Sequence, residues 1–123
     1  MISKEQAKRF AKEWIEAWNA HNLEAILAHY SDDFEMTSPF IVAVMNEPTG
    51  TIKGRRNVGT YWQKSLDRFP DLKFELSVVL GGVNSITIYY KSSMSGSTRL
   101  AAEVFFFDSE GKVNRAFAHY NED

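Results

Sequence analysis

Apolar residues recur every three or four positions near the start of the chain, as they do on one face of a helix. Ser3 and Gln6 have the spacing of a capping box, and the apolar positions behind them are Ala7, Phe10, Ala11, Trp14, Ala17 and Trp18. Asn22 is a good N-cap for a second, short helix whose apolar face is Leu23, Ile26, Leu27 and Tyr30. The pattern predicts two helices that end before the polar residues 31–33.

The spacing changes to every second residue from Phe34, which predicts a short strand that ends at Pro39. Residues 40–53 are apolar at first and then rich in turn residues, so we expect a long loop with a strand or a helical turn in it. A third helix is expected after Gly54, and Pro70 ends it. Its broad apolar face consists of Val58, Tyr61, Trp62, Ser65, Leu66 and Phe69.

The rest of the chain has the pattern of strands. Four runs, at residues 72–80, 85–92, 98–107 and 112–120, are separated by short segments rich in glycine, serine and aspartate. They predict an antiparallel meander. Together with the helices, they indicate an α+β domain in which three helices pack in a strongly curved sheet around an apolar pocket.

Composition narrows the functional classes. The chain has 123 residues, of which 44% are hydrophobic and 14% aromatic, so one domain spanning residues 1–123 can bury a substantial core. The net charge of -2, with acids and bases intermixed, gives no basic surface for nucleic acid or for an anionic membrane. There is no cysteine, and the N-terminal segment lacks the apolar run of a signal peptide or membrane span. We expect a soluble, cytoplasmic protein.

Four local strings occur in a distinctive order. They are LEAILAHYSDDF at residues 23–34, GRRNVGTYW at 54–62, PDLKFEL at 70–76 and GKVNRAFAHYNED at 111–123. In this order they resemble the nuclear transport factor two-like superfamily, within its SnoaL-like polyketide cyclase and ketosteroid-isomerase-like branch. The resemblance covers essentially the whole chain.

The resemblance implies a cone-shaped fold in which a bent sheet wraps the helices, with a cavity at the wide end. It also implies frequent homodimers formed through the outer face of the sheet. It does not imply one reaction, because similar proteins include isomerases, cyclases, dehydratases, epoxide hydrolases and transport adaptors. The acid that the family commonly has in the closing strand falls on Ala118 or His119, so a catalytic aspartate is not carried over.

The last hairpin decides which side chains enter the pocket. A three-residue loop with Gly111 in the left-handed conformation places Phe107 opposite Val113. A regular ladder from there turns these residues towards the helices: Ala101, Glu103, Phe105, Arg115, Phe117 and His119. The opposite face is also apolar, which is typical of a dimer interface, and consists of Leu100, Ala102, Val104, Phe106, Ala116, Ala118 and Tyr120. With a four-residue loop the faces exchange, and Tyr120 replaces His119 inside.

Two residues are candidates for proton transfer. His119 is one, because an imidazole in a partly apolar cleft can exchange a proton near neutral pH. Glu103 is the other, because a carboxylate within an apolar run of residues must find a partner or have a raised pKa. The alternatives are a structural or dimer-contact role for His119 and an ion pair between Glu103 and Arg115.

Large aromatic and apolar side chains are expected to line a pocket for a small apolar or aromatic ligand. Tyr30 and Tyr90 are the expected hydroxyl donors to a substrate carbonyl. The full set is Trp14, Trp18, Tyr30, Met36, Trp62, Tyr90, Phe105, Arg115 and Phe117. No group of residues has the spacing of a metal site or a phosphate loop, so we expect neither a metal nor another cofactor.

Two functions remain open at this level. The first is a cofactor-free enzyme of isomerase, cyclase or dehydratase type that moves protons on an apolar, carbonyl-bearing or cyclic substrate, with His119 and Glu103 as acid and base. The second is a non-catalytic ligand-binding or dimeric interaction module.

Overall fold

The computed structural model describes residues 1–121 and contains four helices and six strands in that range. The helices are α1 (Lys4–Asn19), α2 (Leu23–Leu27), α3 (Pro39–Met45) and α4 (Arg55–Arg68). The strands are β1 (Tyr30–Thr37), β2 (Thr51–Lys53), β3 (Lys73–Gly81), β4 (Ser85–Met94), β5 (Ser97–Phe107) and β6 (Val113–Tyr120).

Side-chain caps start the first two helices, as the sequence predicts. The Ser3 hydroxyl accepts a hydrogen bond from the backbone N–H of Gln6, and the Gln6 side chain accepts one from the N–H of Ser3, which completes the capping box. Asn22 Oδ1 accepts from the N–H of Ala25 at 3.1 Å. The prediction that Tyr30 belongs to α2 is wrong, because that helix ends at Leu27 and Tyr30 begins β1.

The segment predicted as a long loop is largely structured. It contains α3 and the short strand β2, so the prediction of three helices is corrected to four in the part of the chain described. Ser38 caps α3 by accepting from the N–H of Phe40 at 3.2 Å, Pro39 occupies the first turn, and Asn46 ends the helix in the left-handed conformation. Its seven residues are too few for a clear helical period, and its β-branched residues favour a strand.

The six strands form one mixed sheet in the order β2-β1-β6-β5-β4-β3. β1 and β6 are parallel, whereas every other neighbouring pair is antiparallel. The predicted meander from β3 to β6 and the α+β fold class are therefore confirmed. The sheet is open, with β2 and β3 at its edges.

A β-bulge in β6 decides the faces of the closing strand. The hairpin loop has the predicted form: Gly111 has a φ of 78°, and Phe107 pairs with Val113. The ladder then skips Asn114, so that Phe106 pairs with Arg115 and Phe105 with Ala116. One additional residue in β6 turns every later side chain of that strand to the opposite face.

The core is an aromatic cluster between the helices and the concave side of the sheet. Trp14 of α1 lies at its centre, stacked on Phe74 at 5.3 Å and edge-on to Tyr90 at 5.2 Å between ring centroids. The same indole donates a hydrogen bond from Nε1 to the hydroxyl of Tyr30 at 3.0 Å. Aromatic pairs in these geometries add to the stability gained by burial, so they fix α1 against β1, β3 and β4.

In residues 1–121, no helix has the length and apolar character needed to cross a membrane.

Candidate functional site

A cavity of about 230 Å³ lies between the helices and the inner face of the sheet. Its walls are almost entirely apolar, with a few polar groups at separate points. The lining residues are Trp14, Trp18, Met36, Phe40, Ala43, Val44, Tyr61, Trp62, Ser65, Arg68, Phe69, Leu72, Phe74, Tyr90, Met94, Glu103 and Tyr120. An apolar enclosure with a few polar groups is typical of a small-molecule site.

The structure places five of the predicted pocket residues on the cavity wall: Trp14, Trp18, Met36, Trp62 and Tyr90. Tyr30 and Phe105 are buried in the core but do not line the cavity. Phe105 packs edge-on against Phe10 and Trp14. The expectation that these two residues line the pocket is therefore corrected.

The predicted inward placement of His119, Arg115 and Phe117 is wrong. The bulge at Asn114 puts all three on the outer face, with His119 opposite Ala102 and Phe117 opposite Val104. Arg115 lies over the rings of Phe106 and Phe117, at 5.3 and 5.7 Å from their centroids. Arg115 therefore makes no ion pair with Glu103, and His119 lies outside the cavity.

Tyr120 takes the inward position that the regular ladder gives to His119. Its neighbour in β5 is Ala101, whose other neighbour in β4 is Tyr90, so the two tyrosines lie on the same face. The sequence prediction allowed this outcome for a four-residue loop. The structure produces it with the three-residue loop and the bulge.

Glu103 is the carboxylate on the cavity wall. The residue is 4% exposed, and within residues 1–121 its one side-chain hydrogen bond is a long one, 3.5 Å, which Tyr90 Oη donates to Oε1. Burial raises the pKa of Glu103 to about 8, and the Tyr90 hydrogen bond offsets only part of that rise. Near neutral pH both the protonated and the ionised form of this carboxyl group are therefore populated.

Three tyrosine hydroxyl groups belong to the same region. Burial raises the pKa of Tyr61 to about 12, and it raises the pKa values of Tyr90 and Tyr120 further. The negative charge of Glu103 raises all three pKa values as well. These hydroxyl groups remain protonated at physiological pH, so they can donate hydrogen bonds to a ligand oxygen.

The indole of Trp18 supplies another donor. Trp18 lines the cavity and is 5% exposed, and its Nε1 has no hydrogen-bond partner in the part of the chain that the structure describes. A buried donor without a partner costs free energy. An acceptor atom on a molecule in the cavity would remove that cost.

Sequence reasoning missed two contributions to the site. Tyr61 was assigned only to the apolar face of its helix, and Phe40, Ala43 and Val44 were assigned to a loop rather than to the helix that covers the cavity. The Ser38-Pro39 pair, an N-cap followed by proline in the first turn, is the signal that could have identified α3.

Within residues 1–121, no group of three or more His, Asp or Glu side chains is arranged so that it could hold a metal ion.

The sequence profile of the SnoaL-like domain matches residues 11–120. A crystal structure of a SnoaL-like protein of unknown function from Burkholderia thailandensis E264 has 48% sequence identity and a TM-score of 0.92, with 98% of each chain covered. No curated protein matches the chain at a significant level.

More distant structures share the fold. A nuclear transport factor two-like protein of unknown function from Burkholderia xenovorans LB400 has 19% identity and a TM-score of 0.80, covering 100% of this chain and 88% of its own. A proposed ketosteroid isomerase from Kribbella flavida DSM 17836 has 17% identity and a TM-score of 0.78, covering 97% of this chain and 80% of its own. The profile match across most of the chain and the relative with 48% identity establish that this protein belongs to the SnoaL-like domain family.

Proposed function

We propose that the protein is a cofactor-free enzyme that moves a proton on a small apolar, carbonyl-bearing or cyclic substrate. The observation that carries this proposal is Glu103, a carboxyl group 4% exposed on the wall of an apolar cavity, with its pKa raised to about 8. A general base is most effective when its pKa is near the working pH.

Glu103 is the base in this reaction. Its ionised form removes a proton from the carbon next to a substrate carbonyl, and its protonated form returns the proton to another carbon of the same molecule. The apolar wall keeps the carboxylate poorly solvated and therefore basic, and the carboxyl proton is replaced from solvent between proton transfers.

Hydroxyl donors stabilise the negative charge that develops on the carbonyl oxygen. Tyr90 and Tyr120 lie in one row across β4, β5 and β6, next to the position of Glu103 in β5. Their raised pKa values keep them protonated, and donors held in place in a low-dielectric cavity stabilise an oxyanion effectively. Trp18 Nε1 is a further donor for an acceptor atom of the substrate.

Hydrogen–deuterium exchange tests the proton transfer without knowledge of the natural substrate. We expect the protein to accelerate exchange at the α-carbon of α-tetralone in D₂O, measured by proton NMR. Since the reacting form of Glu103 is the carboxylate, the rate is expected to rise with pH through about 8. Glu103→Gln is expected to lower the rate by about 10²–10⁴-fold.

Glu75→Gln is the matched control, because Glu75 is an exposed carboxylate in β3 outside the cavity. Its exchange rate should equal that of the wild type. Exchange that persists in Glu103→Gln would refute the role of Glu103. Binding of α-tetralone without any acceleration of exchange would indicate a non-catalytic ligand-binding module.

We further propose that the protein forms a homodimer through the outer face of the sheet. The proposal is supported by exposed apolar side chains on that face: Val78, Leu80, Tyr89 and Leu100 are 48%, 50%, 41% and 51% exposed. A monomeric soluble protein rarely exposes a contiguous apolar area of this kind.

A further inference from the structure

A smaller cavity of about 190 Å³ adjoins the main one. Phe40, Phe69 and Met94 line both cavities, so the two lie side by side along these side chains. The smaller cavity differs in its chemistry because it also contains Arg99 and the hydroxyl of Ser92.

Arg99 and Ser92 are direct neighbours across β4 and β5, so their side chains lie on the same face of the sheet. Ser92 is two residues from Tyr90 along β4, and Arg99 is two residues from Ala101 along β5, which places both on the side of the main cavity. The cation and the hydroxyl group therefore share one wall.

The Ser92 hydroxyl has no hydrogen-bond partner within residues 1–121, although the residue is only 2% exposed. Arg99 is half-buried with its guanidinium over the ring of Phe40, 5.6 Å from the centroid, and it forms no ion pair with a carboxylate of the described residues. A buried hydroxyl without a partner beside an unneutralised cation is an arrangement that an anionic acceptor would complete.

The arginine, the hydroxyl and the apolar side chains that both cavities share point to one ligand class. We infer that the molecule in the main cavity carries a carboxylate, which binds Arg99 and Ser92 while its ring occupies the space beside Glu103. This inference rests on the proposed ligand-binding role of the main cavity. One guanidinium and one hydroxyl suit a singly charged, planar group better than a phosphate with its higher charge.

Matched acids and amides test the inference. Calorimetry would compare naphthylacetate with naphthylacetamide, which has the same ring and shape but no charge, and with naphthyl phosphate. We expect the wild type to bind the carboxylate roughly ten- to a hundredfold more tightly than the amide. Arg99→Gln should remove this preference and leave the affinity for the amide unchanged.

Two further variants complete the design. Ser92→Ala is expected to weaken binding of the carboxylate alone, and it removes only a hydroxyl group, so the fold is preserved. Arg56→Gln is the matched charge control, because Arg56 is exposed on α4 and lines none of the cavities described here. It should retain the full preference.

The outcomes separate the two proposals. Equal affinity of the wild type for acid and amide, or a preference that survives in Arg99→Gln, would overturn the carboxylate subsite while leaving the main cavity as a ligand site. Tighter binding of naphthyl phosphate than of naphthylacetate would overturn the assignment to a carboxylate. If neither acid nor amide binds the wild type, the ligand-binding role fails together with the subsite.

Discussion

At the scale of single residues, the cost of burying one carboxyl group dominates the chemistry of the molecule. Glu103 has hydrophobic neighbours on both sides in β5 and one long hydrogen bond, so its charged form is poorly stabilised. An ordinary core position would be occupied by an apolar residue. A carboxyl group kept there at the expense of stability is typical of a functional site.

This cost predicts how stability depends on pH. The pKa of Glu103 rises from 4.5 to about 8 on folding, so the native state retains a proton that the unfolded state loses between these values. Its contribution to stability is complete below about pH 4.5 and is lost as the pH rises towards about 8. At roughly 1.4 kcal/mol per pKa unit, the loss amounts to about 4–5 kcal/mol.

Urea unfolding at about pH 5 and about pH 9 measures this effect. Glu103→Gln removes the ionisation, so the variant is expected to be more stable than the wild type at the higher pH by a few kcal/mol. Glu75→Gln should follow the wild type at both pH values. A wild type and a Glu103→Gln variant with the same pH dependence would show that Glu103 is not buried in its charged form at high pH.

At the scale of elements, the bulge in β6 sets the composition of the cavity wall. Without the bulge, Asn114 would pair with Phe106, and the regular ladder would turn Arg115, Phe117 and His119 inwards. With it, the small residues Ala116 and Ala118 face the core, and the hydroxyl of Tyr120 reaches the cavity. The neighbouring strand β1 also changes register against β6 at this point, so both sides of the strand accommodate the extra residue.

Insertion of one alanine after Arg115 tests the register that the bulge sets. Arg115 would stay opposite Phe106, but Phe117 and His119 would turn inwards, so the insertion is expected to destabilise the protein by roughly 3–5 kcal/mol. Asn114→Ala keeps the number of residues and should cost less than about 1 kcal/mol. The measurement is urea unfolding of both variants, and similar stabilities would show that stability does not depend on the face that each β6 side chain takes.

At the scale of the whole molecule, the outer face of the sheet is organised in rows of apolar residues. Val78, Tyr89, Ala102 and His119 are neighbours across β3, β4, β5 and β6. A parallel row contains Leu80, Thr87, Val104 and Phe117. His119, which the sequence suggested for catalysis, therefore belongs to the surface that we propose as the dimer interface.

Solution mass tests that interface. We expect the wild type at micromolar concentration to have twice the mass of the 14.1 kDa chain in analytical ultracentrifugation. Val104→Glu places a charge in the middle of the face and should produce monomers. Thr60→Glu, at an exposed position of α4, should leave the dimer intact. A monomeric wild type would contradict the proposal.

Much of the fold followed from local patterns. The caps at Ser3 and Asn22, the buried face of α1 and the turn at Gly111 each depend on a few neighbouring residues, and the structure confirms them. Helix α3 was missed because seven residues make too few turns for a helical period to show in the sequence, and its β-branched residues favour a strand.

Local sequence patterns were enough to predict an α+β protein with an antiparallel meander, and a three-residue hairpin loop predicted that Glu103 would face inwards. The fold class and the meander follow from the spacing of apolar residues and from the turn residues, which depend only on neighbouring positions in the sequence. Strand pairing in the folded molecule, and no local pattern, places Tyr120 rather than His119 in the cavity with Glu103. Residues alternate between two faces along β6 whether or not a bulge is present, so the sequence does not show which face is buried. The pairing of β6 with β1 and β5 selects that face.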